Sequence, residues 1–278
     1  MNHPPAAPPS ALAAVLRWEG LLVCLLTVAF FVSVPLAQGE LGLSSDALNH
    51  HVYLGWTAQQ HRFDLDFVAA GFQASTYPYL YWPLYQMAAA GWSGVAVGVT
   101  LAALHAVLVA PPVWLLARAC MPGATWFDLA MRVLGVALAF LTGVALSVLD
   151  ATMNDLLAAA PLVWAVALAV QAMPGAGGEA PPAVRRLVLL SGLCAGAAVA
   201  AKLSNGPLAI LMPALWWLCG RGWRARVMAV ALGSAATLLA FAALYGYWGW
   251  LLWRYFGNPI FPLHHHWFEP LRRWAGMG

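Results

Sequence analysis

LVLLSGLCAGAAVAAKLSNGPLAILMPALWWLC, residues 187–219, decides how the chain is threaded. As one helix, the stretch from 187 to 218 would run roughly 48 Å, well beyond the hydrocarbon of a bilayer. Asn205, Gly206 and Pro207 would also interrupt its middle, where a proline removes a backbone donor and clashes with the preceding turn. Two short apolar segments that turn at Lys202 fit better, and this choice sets the side on which everything later falls. Outward from here, apolar runs near 20–37, 93–117, 133–149, 156–173 and 227–252 join those at 187–201 and 203–219 to make about seven expected transmembrane helices.

Composition agrees with the runs. Hydrophobic residues make up 63% of the 278, and charged residues only 8%, against about 25% charged in an average soluble domain. The expectation is an all-α integral membrane protein, a single transmembrane domain over 1–278 whose solvent is the bilayer. The joints at 122–128, 174–182, 204–207 and 221–226 carry Pro, Gly, Asn and Arg and read as turns. MNHPPAAPPS at 1–10 is too rich in proline for a helix, and the first apolar run lacks a clear cleavage site, so it reads as a retained anchor. The basic residues mark loops and form no stripe, which argues against a nucleic-acid partner. Cys24, Cys120, Cys194 and Cys219 lack CxxC spacing and read as apolar packing residues.

Orientation follows from charge, because Lys and Arg of short loops are retained on the cytoplasmic side. With the N-terminus inside, Arg17, Arg118, Arg132, Arg185, Arg186, Arg221, Arg224 and Arg226 are cytoplasmic, against the acids Glu19, Asp128 and Glu179. The other face holds Arg62, Lys202, Arg254, Arg272 and Arg273 with Glu40, Asp46, Asp64, Asp66, Asp150, Asp155 and Glu269. The C-terminus then lies outside.

Residues 38–92 form the long outer loop. Ser44, Ser45 and Asp46 offer N-cap chemistry, and Leu48, Val52 and Trp56 follow on one helical face, which predicts a helix lying along the membrane surface. YPYLYWPLY at 77–85 reads either as an interfacial aromatic belt or as a stacking platform for a sugar or lipid headgroup. The same outer side collects Asp46, Asn49, His50 and His51, then Asp150, Asn154 and Asp155, then Lys202 and Asn205, and finally Asn258 and His264 to His266. Ionisable groups near a bilayer are costly unless paired or hydrated, so their gathering on one side marks a candidate site. Each also has a plainer role: Asp46 as helix cap, Asp150 and Asp155 as solvated helix ends, Lys202 as a snorkelling lysine, the histidine run as a hydrated loop.

SDALNHHVYLGW at 45–56 is similar to the first outer loop of polyprenyl-phosphate-sugar-dependent membrane glycosyltransferases of the GT-C fold, the group with protein O-mannosyltransferases and lipid A aminoarabinose transferases. Asp46 matches the acid of that loop and His51 its histidine. YFGNPIFPL at 255–263 resembles a second string of that group. The chain departs from it in having Ala47 after Asp46, where some members carry a second carboxylate, and in ending soon after the second string, as a truncated or inactive remnant would.

The resemblance implies transfer of a sugar from a polyprenyl-phosphate donor to a glycan, lipid or protein acceptor at the periplasmic face of a bacterial inner membrane. Asp46 would be the catalytic base, a carboxylate being ionised at neutral pH in its ordinary range. Substrate would be held by Asp155, Asn154, Lys202, His50, His51, Arg62 and Asn258, with Lys202 nearest in chemistry to what a departing phosphate needs and Arg62 and Arg254 in reserve. No sequence signal calls for a metal or other cofactor. The competing class is a transporter or lipid-carrier flippase, which spreads polar residues through the membrane midplane.

Overall fold

The computed structural model describes residues 11–66, 69–149, 151–174 and 183–277. The N-terminal ten residues, Asp150 and nearly all of the 174–182 turn, read above from sequence, lie outside the described residues. Within them the regular secondary structure is helical apart from the extended segment Ala69–Phe72 and an isolated parallel bridge between Gly42 and Ala151. In chain order the α-helices are α1 (Ala11–Gln38), α2 (Val52–Thr57), α3 (Trp82–Ala89), α4 (Gly94–Cys120), α5 (Trp126–Phe140), α6 (Gly143–Ser147), α7 (Asp155–Ala172), α8 (Val184–Ala201), α9 (Gly206–Ala209), α10 (Met212–Cys219), α11 (Gly222–Phe256) and α12 (Glu269–Trp274).

Among the described residues, five helices are long and apolar enough to cross a membrane: α1, α4, α7, α8 and α11. The runs expected at 133–149 and 203–219 are broken helices instead. The first stops at Phe140, and the Thr142 hydroxyl then accepts from the Ala145 amide to start α6. In the second, Pro207 and Pro213 occupy the first turns of α9 and α10, where a missing N–H leaves no intrahelical bond unmade. The 187–218 stretch is not one helix. Lys202 leaves helical backbone, at φ −153° and ψ 112°, and ends α8.

Both broken segments nevertheless travel from one end of the bundle to the other. Asn205 Nδ2 donates to Ala158 O near the start of α7, and Cys219 Sγ lies against Ala169 O near its end. Likewise Arg132 bonds Glu19 low on α1, Phe140 meets Phe31 edge-on higher up, and Ala151 pairs with Gly42 just beyond α1.

The helices are joined by close backbone approach and by a few buried polar contacts, the usual glue where lipid tails are as apolar as the side chains. Gly192 and Gly196 on α8 lie directly against the backbone of Gly233 and Thr237 on α11, so a Cβ at either glycine would collide. The Thr237 hydroxyl donates to Gly192 O at 3.0 Å. Pro112 in α4 has no N–H to give Leu108 O, and the Trp164 indole of α7 donates to that carbonyl at 2.9 Å. Trp216 of α10 donates to Ser191 Oγ, which donates in turn to Ala165 O, linking α10, α8 and α7 through buried atoms.

At the end holding Glu19, a buried ion pair fastens α1 to α5. Arg132 grips both Glu19 carboxylate oxygens, at 2.5 and 2.7 Å, and donates to Met121 O and Gly123 O. Arg185, Arg186, Arg221 and Arg224 line a cleft between α8 and α11 at the same end.

Candidate active site

The opposite end carries the candidate site, a cavity of about 270 Å³ walled chiefly by five separate segments of the chain. The first loop supplies Asp46, His50 and His51, and the strip before α3 supplies Gln73, Ser75, Thr76, Tyr77 and Tyr81. Met153 to Asp155 enter from the start of α7, Ala201 to Ser204 from the end of α8, and Phe261 to Leu263 from the segment after α11. The volume is near the lower end of small-molecule pockets, roughly 300 to 1,000 Å³.

Of the three residues expected to offer N-cap chemistry, one does so. Ser44 provides the cap, its Oγ accepting from Ala47 N at 3.1 Å, while the Asp46 carboxylate makes no capping bond and is half exposed to the cavity. Residues Ala47–His51 are π-helical before α2 continues in α form. Leu48 and Val52 face outward, and the opposite face buries Ala47, His50, His51 and Leu54.

His51 is held on both sides. Its Nδ1 is 2.6 Å from Thr152 Oγ1, and its ring stacks on Tyr81 at 4.7 Å and 20°. Burial, with His50 and Lys202 working the same way, brings its pKa down to about 4 against the opposing pull of Asp46 and Asp155. His50 is lowered too, mainly by burial. The sign for stability follows: as pH falls from about 6.5 toward 4, the unfolded chain takes up a proton at residue 51 that the folded chain refuses. Residue 51 should therefore contribute about 3 kcal/mol to a fall in stability across that window, read by chemical unfolding in detergent, and His50 adds to the same slope. The slope should flatten in His51→Gln; an equal slope in that variant would assign the dependence elsewhere.

Lys202 Nζ donates to Asp155 Oδ1, which joins the end of α8 to the start of α7. Both side chains remain about two-fifths exposed. Exposed pairs contribute only about 0–1 kcal/mol, so the ammonium is free to exchange this carboxylate for another anion at little cost. Asn154, nearly buried, shares the wall beside Asp155.

Not every residue singled out in the sequence reaches the cavity. Arg62 is bound to Asp66 through two hydrogen bonds, at 2.5 and 2.9 Å, and lies over the Trp56 ring. Arg254 stands over Trp250. Asn258 is fully buried behind the wall; it donates to Leu263 O and accepts from Ile260 N, so it shapes the turn that presents Phe261 to Leu263. Asn205 spends its amide on the carbonyls of Ala158 and Ala198. His264 and His266 are exposed outside the cavity.

Two features were missed. The polar strip Gln73 to Thr76 lines the cavity although no periodicity distinguishes it. His105, in the middle of α4, is wholly buried with neither ring nitrogen hydrogen-bonded. The aromatic string divides its labour: Tyr77 and Tyr81 turn into the cavity, while Trp82 faces out. The chain matches no family model, no curated protein and no solved structure.

Proposed function

We propose that the protein transfers a sugar from a polyprenyl-phosphate donor to a hydroxyl acceptor at the periplasmic face of a bacterial inner membrane. One observation carries the reading. The two strings that resemble GT-C glycosyltransferases are separated by about two hundred residues of chain, yet both wall the same cavity, Asp46, His50 and His51 from one and Phe261 to Leu263 from the other. The polar groups at this end also favour an enzyme over a transporter, whose coupling residues belong at the midplane.

In this reading the chain crosses the bilayer seven times, with α5 and α6 making one crossing and α9 and α10 another, and its N-terminus is cytoplasmic. The arginines at the Glu19 end support that orientation through the positive-inside rule. Labelling of single cysteines by an impermeant reagent tests it, in a background without the native four. Ser45→Cys and Trp267→Cys, both exposed at the cavity end, should react from the periplasm only. Reaction of both from the cytoplasm would overturn the orientation, and reaction of one alone would overturn the crossing count.

The chemistry is a single displacement. The acceptor oxygen forms a bond to the anomeric carbon as the carbon–oxygen bond to phosphate breaks, its electron pair stays with the phosphate, and the configuration inverts. Asp46 takes the proton from the acceptor. Lys202, turning from Asp155, neutralises the departing phosphate, and Asp155 with Asn154 holds the acceptor side. The Tyr77 and Tyr81 rings offer apolar faces for the sugar.

Donor binding tests the assignment of Lys202. Lys202→Met retains much of the apolar stem and removes the charge, so affinity for a polyprenyl-phosphate sugar should fall by about 1.5 to 3 kcal/mol, on the order of 10- to 100-fold. An unchanged Kd in a folded variant would return Lys202 to a snorkelling role.

A further inference from the structure

A π-helical turn, bonded i→i+5, is wider than an α-helical one, so residues four and five positions on lie to either side beneath the first. At Ala47–His51 this backbone sets His50 and His51 below Asp46, with their rings 4.5 Å apart and 79° to one another. One ligand atom from each of Asp46, His50 and His51 lies within 4.8 Å of the other two. We propose that these three side chains bind one divalent cation of the zinc class in the wall of the cavity.

The state of His50 points to a ligand. Its side chain is 6% exposed, and its Nδ1 is buried without a hydrogen-bond partner. The nearest carboxylate oxygen, Asp46 Oδ1, is 3.9 Å away, too far for a hydrogen bond. A buried imidazole nitrogen left in this way is costly unless something else satisfies it. His51 has the arrangement common to metal-binding histidines, one ring nitrogen fixed by a neighbour, here Thr152 Oγ1 at 2.6 Å, and the other left to ligate. Asp46, excused from capping by Ser44, has its carboxylate available.

The donor set selects the ion. Two imidazoles and one carboxylate suit zinc and its neighbours, whereas magnesium and calcium prefer oxygen throughout. Ligand atoms about 2 Å from one tetrahedral ion stand roughly 3.3 Å apart, so atoms now up to 4.8 Å apart must draw together by as much as about 1.5 Å, chiefly through rotation of the half-exposed Asp46. Three protein ligands leave a fourth position open toward the cavity, beside Lys202 and Asp155. The site stands on this geometry and goes beyond the transfer reading. Where both hold, one Asp46 oxygen ligates and the other takes the acceptor's proton, as a carboxylate's two oxygens allow.

The test is calorimetric titration of the full-length, chelator-stripped protein with zinc in detergent, with the visible spectrum of cobalt(II) as the measure of coordination. One equivalent should bind, with a four-coordinate cobalt spectrum. His50→Gln, His51→Gln and Asp46→Asn should each weaken binding by about 100-fold or more, and Thr152→Val by about 10- to 100-fold. Replacing His264 and His266 with Gln should leave it unchanged. Absence of zinc binding overturns the proposal, as does affinity that persists in His50→Gln and His51→Gln, which would move the metal to the tail histidines or a cysteine. Should His50→Gln not fold, Asp46→Asn decides alone, since its side chain is half exposed and makes no capping bond. Zinc bound at these residues without sugar transfer leaves the site standing and removes the transfer reading; transfer by protein that binds no zinc does the reverse.

Discussion

The Arg132→Met variant should lose about 3 to 5 kcal/mol of stability, because removing one member of a buried ion pair strands the other. Neither side chain reaches solvent: Arg132 is 0% and Glu19 1% exposed. The guanidinium has four contacts in place, two to the carboxylate and two to the carbonyls of Met121 and Gly123, and methionine replaces none of them. Glu19 would keep only the Trp114 indole at 3.2 Å and the more exposed Arg118 at 3.4 Å. Since a buried pair can often be exchanged for apolar residues without loss, a Glu19→Leu/Arg132→Met double variant should regain much of the difference. Thermal unfolding in detergent measures both. A single variant within about 1 kcal/mol of the unmodified protein would mean that water or lipid headgroups reach this pair and screen it.

Sequence order alone could not reveal that contact. Glu19 and Arg132 lie 113 positions apart, and each, met in its own stretch, reads as a charge marking a membrane face. Hydrophobic run length, a local property, located the cores of α1, α4, α7, α8 and α11. It did not locate the breaks at Leu141 and after Ile210, because leucine, isoleucine and alanine carry the same hydropathy inside a helix and at its kink. The turn at Lys202 was legible for a different reason: asparagine, glycine and proline in sequence are backbone chemistry rather than hydropathy.

The cavity was legible in part by the same logic. Polar residues gathered at one end of a small bundle have little room to stay apart, and Asp46, His50, His51, Asn154, Asp155 and Lys202 do converge. Arg62 and Asn258 lie on that side too but are taken by Asp66 and by the turn at Leu263, partners that only packing selects. Nor does SDALNHH announce a π-helix, since its residues are equally compatible with an α-helical turn. That register is what brings both histidines beneath Asp46.

Sugar transfer by Asp46→Asn should fall by 10²- to 10⁴-fold, the usual contribution of a positioned general base, or about 3 to 5 kcal/mol of transition-state stabilisation. Asparagine keeps the size of the side chain, and because Ser44 rather than Asp46 caps the first-loop helix, the substitution removes no capping bond. What it removes is the charge and the proton-accepting oxygen, at a position half exposed to the cavity. Donor affinity should change little, since Lys202 is the group assigned to the phosphate, so the loss should appear in turnover.

The measurement is the movement of labelled sugar from purified polyprenyl-phosphate donor to an acceptor extract, catalysed by the protein in proteoliposomes, with the unmodified chain and a folded Asp46→Asn variant side by side. Sugar should leave the lipid with the first and stay on it with the second, as a general base at Asp46 requires. Sugar that stays on the lipid with both, or leaves it equally fast with both, would contradict this expectation.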